Sequence, residues 1–421
     1  MPSLPQYGPN PLTMKNLRAI MAEEANSEGA ITFARFMELA LYCPNIGYYT
    51  RPGATTGRSG DFFTSVSVGS LFGQLLAFQF AEWLGTPERP VQLVEAGAHD
   101  ARLACDILAW LQAHRPALRN HLEYWIIEPS ESRIRTQQQT LGELAASVRW
   151  FPAWSALPPS GVNGIIFSNE LLDAMPTHRL GWDANKKEWF EWGVAVQQVA
   201  TEPGHGVPPL GGRASTNIIS DEATNAPISV SSSEGGAGVR GPNNEPFIWI
   251  RMPVEPATLL KGGLSNLPPE LLAILPNEFT TEVNLAAIEW WQQAAAALRS
   301  GKLLTIDYGL TADEFLLPER HHGTLRAYHR HQVSSNLLAR PGEQDLTAHV
   351  NFTAIQNAGE AQGLSTETFQ AQAQFLIAIL RRIEQDRSAF GEWTAKHARQ
   401  FQTLTHPAHL GRSFRVLIQS R

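Results

Sequence analysis

Cysteine is almost absent from this chain: Cys43 and Cys105 are the two cysteines among 421 residues, and they lie far apart. That excludes a disulfide framework or a cysteine-rich metal site, and leaves both as core thiols. Long apolar runs are missing too, so no membrane-spanning helix is expected, since one needs roughly 18 or more such residues in a row. Positive charge is not in excess either, because the formal net charge is -7, which gives no electrostatic footprint for nucleic acid. The N-terminal stretch lacks the apolar segment of a secretory signal, and its Glu23 and Glu24 speak against a transit peptide. The expectation is a soluble, cytoplasmic protein.

Several catalytic signatures are also missing. There is no G-x-S-x-G elbow, no Walker lysine loop and no HEXXH pair, which lowers hydrolase, NTPase and zinc-enzyme readings. His321, His322, His329, His331 and His349 do not pair with a carboxylate on a clear helix, so no metal is expected.

What is present is a regular alternation. After two helical patterns in 12–42, the second capped by Thr32, a long glycine-punctuated loop (44–65) leads into the apolar helix "FGQLLAFQFAEWLG". From residue 91 the chain reads strand "VQLVEAGA", helix, strand "LEYWIIEP", a helix capped by Ser130, short strand "VRWF" and strand "GIIFSNELL". Such alternation predicts a parallel sheet flanked by helices, with ligands outside the carboxyl ends of the strands. A hairpin follows over 181–196, then a Gly-, Pro- and Ser-rich stretch (201–246) that can bury little surface and is expected to be a flexible insertion. Beyond it come "PFIWIRMPV", a helix expected to end at Gly301, the buried strand "KLLTIDYGL", further helices and a closing edge strand "SFRVLIQSR".

The strand ends carry the candidate chemistry. Glu95 and Gly97 close the first strand, but the loop lacks G-x-G-x-x-G, so a phosphate cradle is not expected there. Glu128 closes the second, where an acid can accept two ribose hydroxyls or can simply face a helix N-terminus. Asn169, Glu170 and Asp173 follow the fourth. A helical turn would bring both acids to one side, to hold a cation or act as a base; capping acids in a surface turn are the plainer alternative, and spacing alone favours it. "TIDYG" places Asp307 and Tyr308 at another strand tip, and Arg326, Tyr328, Arg330, Gln344, Asp345 and His349 read as the polar lining of a cleft.

Together, "ITFARFMELALYCPNIGYYT", "GDFFTSVSVGSLFGQLLAFQF", "LVEAGAHDARLACDIL", "IIEPSESRIRTQQQTL", "FSNELLDAMPTHRL", "LLTIDYG" and "GTLRAYHRHQV…PGEQDLTAHVNF" resemble, in order, the MidA / NDUFAF7 (DUF185) family of S-adenosylmethionine-dependent methyltransferases. The resemblance implies an α/β fold: a Rossmann-like, seven-stranded class I methyltransferase core with an additional, mostly helical lobe over the cleft. The expected division is an N-terminal helical segment with a cofactor-covering loop (1–90), the first part of the core (91–200), the insertion (201–246), and the rest of the core with a substrate-side helical lobe (247–421). The implied cofactor is S-adenosyl-L-methionine. Asp61, Phe62, Thr64, Ser65, Glu95, Gly97, His99, Glu128, Pro129 and Asn169 would bind it, and Asn169, Glu170 and Asp173 would be catalytic. Tyr48, Tyr49, Asp307, Tyr308, Arg326, Tyr328 and His349 would face the substrate. The implied acceptor is arginine in a protein, with a respiratory complex I subunit as the family's example. The family's first loop reads E-x-G-x-G-x-G, whereas here His99 and Ala101 replace its second and third glycines. A catalytically weak or inactive assembly protein on the same fold is therefore the alternative.

Overall fold

The computed structural model describes residues 11–51, 64–197, 246–330, 332–407 and 410–421. Asp61 and Phe62 lie outside the described residues, as does the insertion expected at 201–246 except for Pro246.

The central sheet comprises β1 (Val91–Ala96), β2 (Leu122–Ile127), β3 (Val148–Phe151), β4 (Val162–Asn169), β5 (Leu298–Leu310), β6 (Ser365–Ala371) and β7 (Phe414–Ser420). Their order is β3-β2-β1-β4-β5-β7-β6, and a short strand, Val350–Asn351, also pairs with β5. The first five run parallel, while β7 is antiparallel to both β5 and β6.

The strands are apolar on both faces because helices cover both. Leu93, Tyr124, Ile126, Ile165 and Phe167 point into one core, with the helices Leu71–Leu84, Arg102–His114 and Gln372–Gln385. Val94, Trp125, Ile127 and Ile166 alternate with them and point into the other, against Leu285–Ala297 and Phe352–Ala361. Each fully buried Leu, Ile or Phe of this kind stabilises the fold by roughly 1.5–3 kcal/mol.

From β1 the chain crosses through Arg102–His114 to β2 on one side, while β4 lies against the other edge of β1. The strand order therefore reverses at β1/β4, and a crevice opens outside their carboxyl ends.

Three local expectations are corrected. The helix Leu285–Ala297 ends before Gly301, and its expected first residues are the strand Phe279–Val283. Gly301 lies inside β5 at φ +116°, where a Cβ would stand 1.9 Å from the Gly164 carbonyl oxygen of β4, so glycine is there for close strand approach. The closing segment is not an edge strand, because β7 is paired on both sides and β6 forms the edge.

The additional lobe carries two small sheets along with its helices, where a mostly helical lobe was expected. Ala30–Thr32, Glu188–Val196, His178–Asp183, Phe279–Val283 and Phe247–Pro253 make an antiparallel five-stranded sheet. Gln332–Ser334, Arg326–His329 and Asp345–Thr347 make a three-stranded one. The helix Phe33–Tyr42, capped by Thr32, packs between them through Phe33, Phe36 and Met37. Boundaries drawn at 90, 200 and 246 cut across these units, since Ala30 pairs with Ala195.

Candidate active site

At the end of β1 the Glu95 side chain is buried, and its Oε2 accepts the Tyr124 hydroxyl at 2.6 Å. Burial pushes its carboxyl up to about 7, against the opposing pull of that hydrogen bond. Gly97 turns the chain at φ +76°, and a Cβ there would meet Leu171 Cδ1 at 2.9 Å. His99 and Ala101 follow at φ 49° and 63°. The backbone thus keeps the left-handed turns that glycines would adopt freely, at a cost of about 1 kcal/mol per residue.

At the end of β2, Glu128 Oε1 accepts from the Ser130 backbone N–H at 2.9 Å, and Oε2 accepts from Gln137 Nε2 at 3.0 Å. Gln137 Nε2 also donates to the His99 carbonyl at 3.1 Å, tying the first loop to the second acid. Ser130 caps the helix Glu131–Leu141 as expected. Burial raises the Glu128 carboxyl, while Ser130, Arg133, Gln137 and His99 act in the other direction.

At the end of β4, Asn169 Nδ2 and the Ser65 backbone N–H both donate to Glu170 Oε1 at 3.0 Å. Asn169 Oδ1 and Glu170 Oε2 are buried and have no hydrogen-bond partner among the described residues. The segment after Glu170 is an irregular turn rather than a helical one, and its backbone is fastened from several sides. Asp307 Oδ2 accepts from Leu171 and Leu172 N–H. The Asn284 amide donates to the Leu172 and Met175 carbonyls, the Tyr42 hydroxyl to Ala174, and the Ala348 N–H to Asp173. A loop held this way presents its side chains at fixed positions.

Three carboxyls share this region. Burial, reinforced by Asp173, pushes Glu170 up to about 8. Burial raises Asp173 to about 7. Burial, then Asp173 and Glu170, hold Asp307 well above the usual carboxylate range.

These strand ends surround a cleft of about 830 Å³. Of the residues expected at the site, Tyr49, Thr64, Glu95, Gly97, His99, Glu128, Pro129, Asn169 and Glu170 line it. The others take different positions. Tyr48 is buried in the lobe core, and the Ser65 hydroxyl turns inward to Gln372. Asp173 and Asp307 are buried behind the cleft wall, so Asp307 is not exposed at a strand tip. Tyr308, Arg326, Tyr328 and His349 do not line this cleft; Tyr308 packs on Phe414, and Arg326 and Tyr328 belong to the three-stranded sheet.

Sequence reasoning missed Tyr42, Tyr124, Gln137 and Arg133. The Tyr49 hydroxyl donates to Asp345, its ring stacks on Tyr42, and Arg133 sits 5.4 Å above it. Tyr124 had a signal in the pattern: register pairs it with Leu93, two residues before Glu95 on the same face. Trp154 and Trp290, which form an edge-to-face pair at the opposite wall, had none.

The residues present fit an S-adenosylmethionine-sized ligand. Each Glu128 oxygen has one partner and can accept another hydrogen bond, as two ribose hydroxyls require. Gly97 leaves the loop without a side chain beside Leu171, and the unpartnered Asn169 Oδ1 awaits a donor.

Comparison with known proteins agrees with this geometry. The family Methyltransf_28, described as "Putative S-adenosyl-L-methionine-dependent methyltransferase", matches residues 75–370. A COG1565 superfamily member from Burkholderia thailandensis, solved bound to S-adenosyl-homocysteine, superposes with a TM-score of 0.70 at 28% identity, covering 100% of this chain and 95% of that one. The Drosophila melanogaster "Protein arginine methyltransferase NDUFAF7 homolog, mitochondrial" is 24% identical over 93% of this chain and 82% of its own length. The Homo sapiens "Protein arginine methyltransferase NDUFAF7, mitochondrial" is 35% identical over 31% of this chain and 30% of its own.

Proposed function

We propose, from the premise that this chain belongs to the family of S-adenosyl-L-methionine-dependent methyltransferases, that its acceptor is the guanidinium of an arginine side chain in a protein. The observation that carries this reading is the pair of buried, unpartnered acceptors at the cleft, Asn169 Oδ1 and Glu170 Oε2. A guanidinium brings five N–H donors in a flat fork, and its positive charge would favour ionisation of the Glu170 carboxyl beside it. Similarity to relatives named as protein arginine methyltransferases supports the same acceptor, and by family resemblance a respiratory complex I subunit is the first protein to try.

The cofactor, when bound, supplies a methyl group on a sulfonium that already carries the driving force. The chain then has to bind, align and accept a proton. Glu128 would hold the ribose hydroxyls, and the Gly97 loop would lie against the rest of the cofactor. Asn169 would orient the guanidinium nitrogen. Burial holds the Glu170 carboxyl near 8 in the ligand-free chain; a bound guanidinium cation would favour its ionised form, and that carboxylate would take the proton released when the nitrogen is methylated. Asp307, Asn284 and Tyr42 act indirectly, by holding the loop that carries Asn169 and Glu170.

The test is mass spectrometry of arginine-containing peptides incubated with the protein and S-adenosylmethionine, alongside calorimetric titration of S-adenosylhomocysteine. Methylarginine formed by the wild type and lost in Glu170→Gln supports the reading. Tight S-adenosylhomocysteine binding with methyl transfer only to lysine or to small molecules sinks it.

A further inference from the structure

A second cleft, of about 610 Å³, lies beside the segment 66–70. Val66, Ser67 and Arg102 line both this cleft and the candidate active site, so the two share a wall. One side is the helix Ala395–Thr405, which presents Lys396, Arg399 and Thr403, spaced to fall on a single helical face. The facing side is the helix Arg102–His114, which contributes Arg102 and Asp106.

The charge is unusual for this molecule. Three cations (Arg102, Lys396, Arg399) face one acid (Asp106) in a chain whose net charge is -7. Arg102 pairs with Asp100 at 3.0 Å, but Lys396 and Arg399 form no ion pair among the described residues. Two like charges three residues apart on one helix face repel each other unless something neutralises them. Burial pushes Asp106 up to about 6, with Arg102 and Lys396 pulling the other way, so a modest fall in pH removes the opposing charge. The cationic helix is also firmly seated: Gln400 accepts the Leu71 N–H at 3.1 Å, and a Cβ on Gly69 would stand 2.1 Å from Gln400 Nε2. A water takes up only about 30 Å³ in the liquid, so the cleft has room for a peptide segment rather than a single ion.

We propose that this second cleft binds the carboxylates of an acidic segment in the protein acceptor, next to the site that receives its arginine. The assignment to the acceptor rests on the function proposed above; the cleft's affinity for acidic peptide does not. A segment held there by Lys396 and Arg399 would lie one wall away from Glu170, so substrates with acids near the arginine are preferred.

The experiment is fluorescence anisotropy of a labelled hexaglutamate peptide titrated with the full chain in the presence of S-adenosylhomocysteine. The expected result is saturable binding that weakens with salt and falls about tenfold or more, roughly 1.4 kcal/mol, in Lys396→Glu/Arg399→Glu. S-adenosylhomocysteine affinity should be unchanged in that variant, and the milder Arg399→Gln should weaken the peptide by a smaller factor without altering the melting temperature. Absent binding, or binding equal in wild type and both variants, overturns the proposal. A calorimetric titration with inorganic phosphate is the second arm: phosphate binding lost in the double variant, without peptide binding, makes this a free-oxyanion site and overturns the acidic-segment assignment. A chain that binds hexaglutamate but not S-adenosylhomocysteine would instead overturn the proposed methyl transfer and leave the second cleft standing.

Discussion

Asp307 and Leu172 are 135 residues apart in sequence, yet the Asp307 carboxylate accepts the Leu172 N–H at 2.8 Å. The same oxygen takes the Leu171 N–H at 3.1 Å, and Oδ1 takes that of Tyr308 at 2.8 Å. Asp307→Ala would strand these backbone donors in a buried place, at about 1–3 kcal/mol each. Denaturant unfolding should show a loss of at least about 2 kcal/mol. A variant as stable as the wild type would mean that the loop after Glu170 does not depend on Asp307.

Glu170→Gln keeps the shape and one acceptor oxygen for Ser65 N–H and Asn169 Nδ2, but removes the proton acceptor. Methyl transfer should drop about 100-fold or more, as loss of a general base does, while S-adenosylhomocysteine affinity changes little. Equal losses in both would assign Glu170 to cofactor binding.

Glu128→Ala should act in the opposite way. Calorimetry should find S-adenosylhomocysteine bound about 10–100-fold more weakly, equivalent to roughly 1.4–2.8 kcal/mol. Unchanged affinity would show that Glu128 serves the helix Glu131–Leu141 and its Ser130 cap instead.

The raised carboxyls make stability depend on pH in a defined direction. Glu170 near 8, with Asp173 and Glu95 near 7, hold their protons more tightly when folded than when unfolded. Their contribution is complete below the ordinary carboxylate range and is lost as pH rises through about 7 to 8. The melting temperature of the ligand-free protein should therefore fall between about pH 5 and pH 8.5, and fall less steeply in Glu170→Gln. A melting temperature that rises over that window would contradict the protonated cluster.

Ala101 is fully buried at φ 63° and precedes the helix Arg102–His114. Ala101→Gly should relieve the left-handed strain and raise stability by up to about 1 kcal/mol, read as a higher urea midpoint. A loss of stability would show that the Ala101 methyl group's packing outweighs the strain.

The sequence by itself determined the parallel sheet, because apolar strands alternating with capped helices have few other ways to bury both faces. It also determined that Glu95, Glu128, Asn169 and Glu170 gather in one crevice, since each lies at the end of a strand and all these strands point the same way. Tertiary structure alone decided which acids face the cleft and which stand behind it. Asp173 and Asp307 look like Glu170 in sequence, but they are withdrawn from it by hydrogen bonds and packing from segments more than a hundred residues away. It decided likewise that Tyr48 is core while Tyr49 lines the cleft, since adjacent residues point apart and only the partner elements say which side is open. Gly301 carries the same lesson: in sequence it reads as a helix stop, and its reason is the Gly164 backbone on the neighbouring strand, which no local pattern reveals.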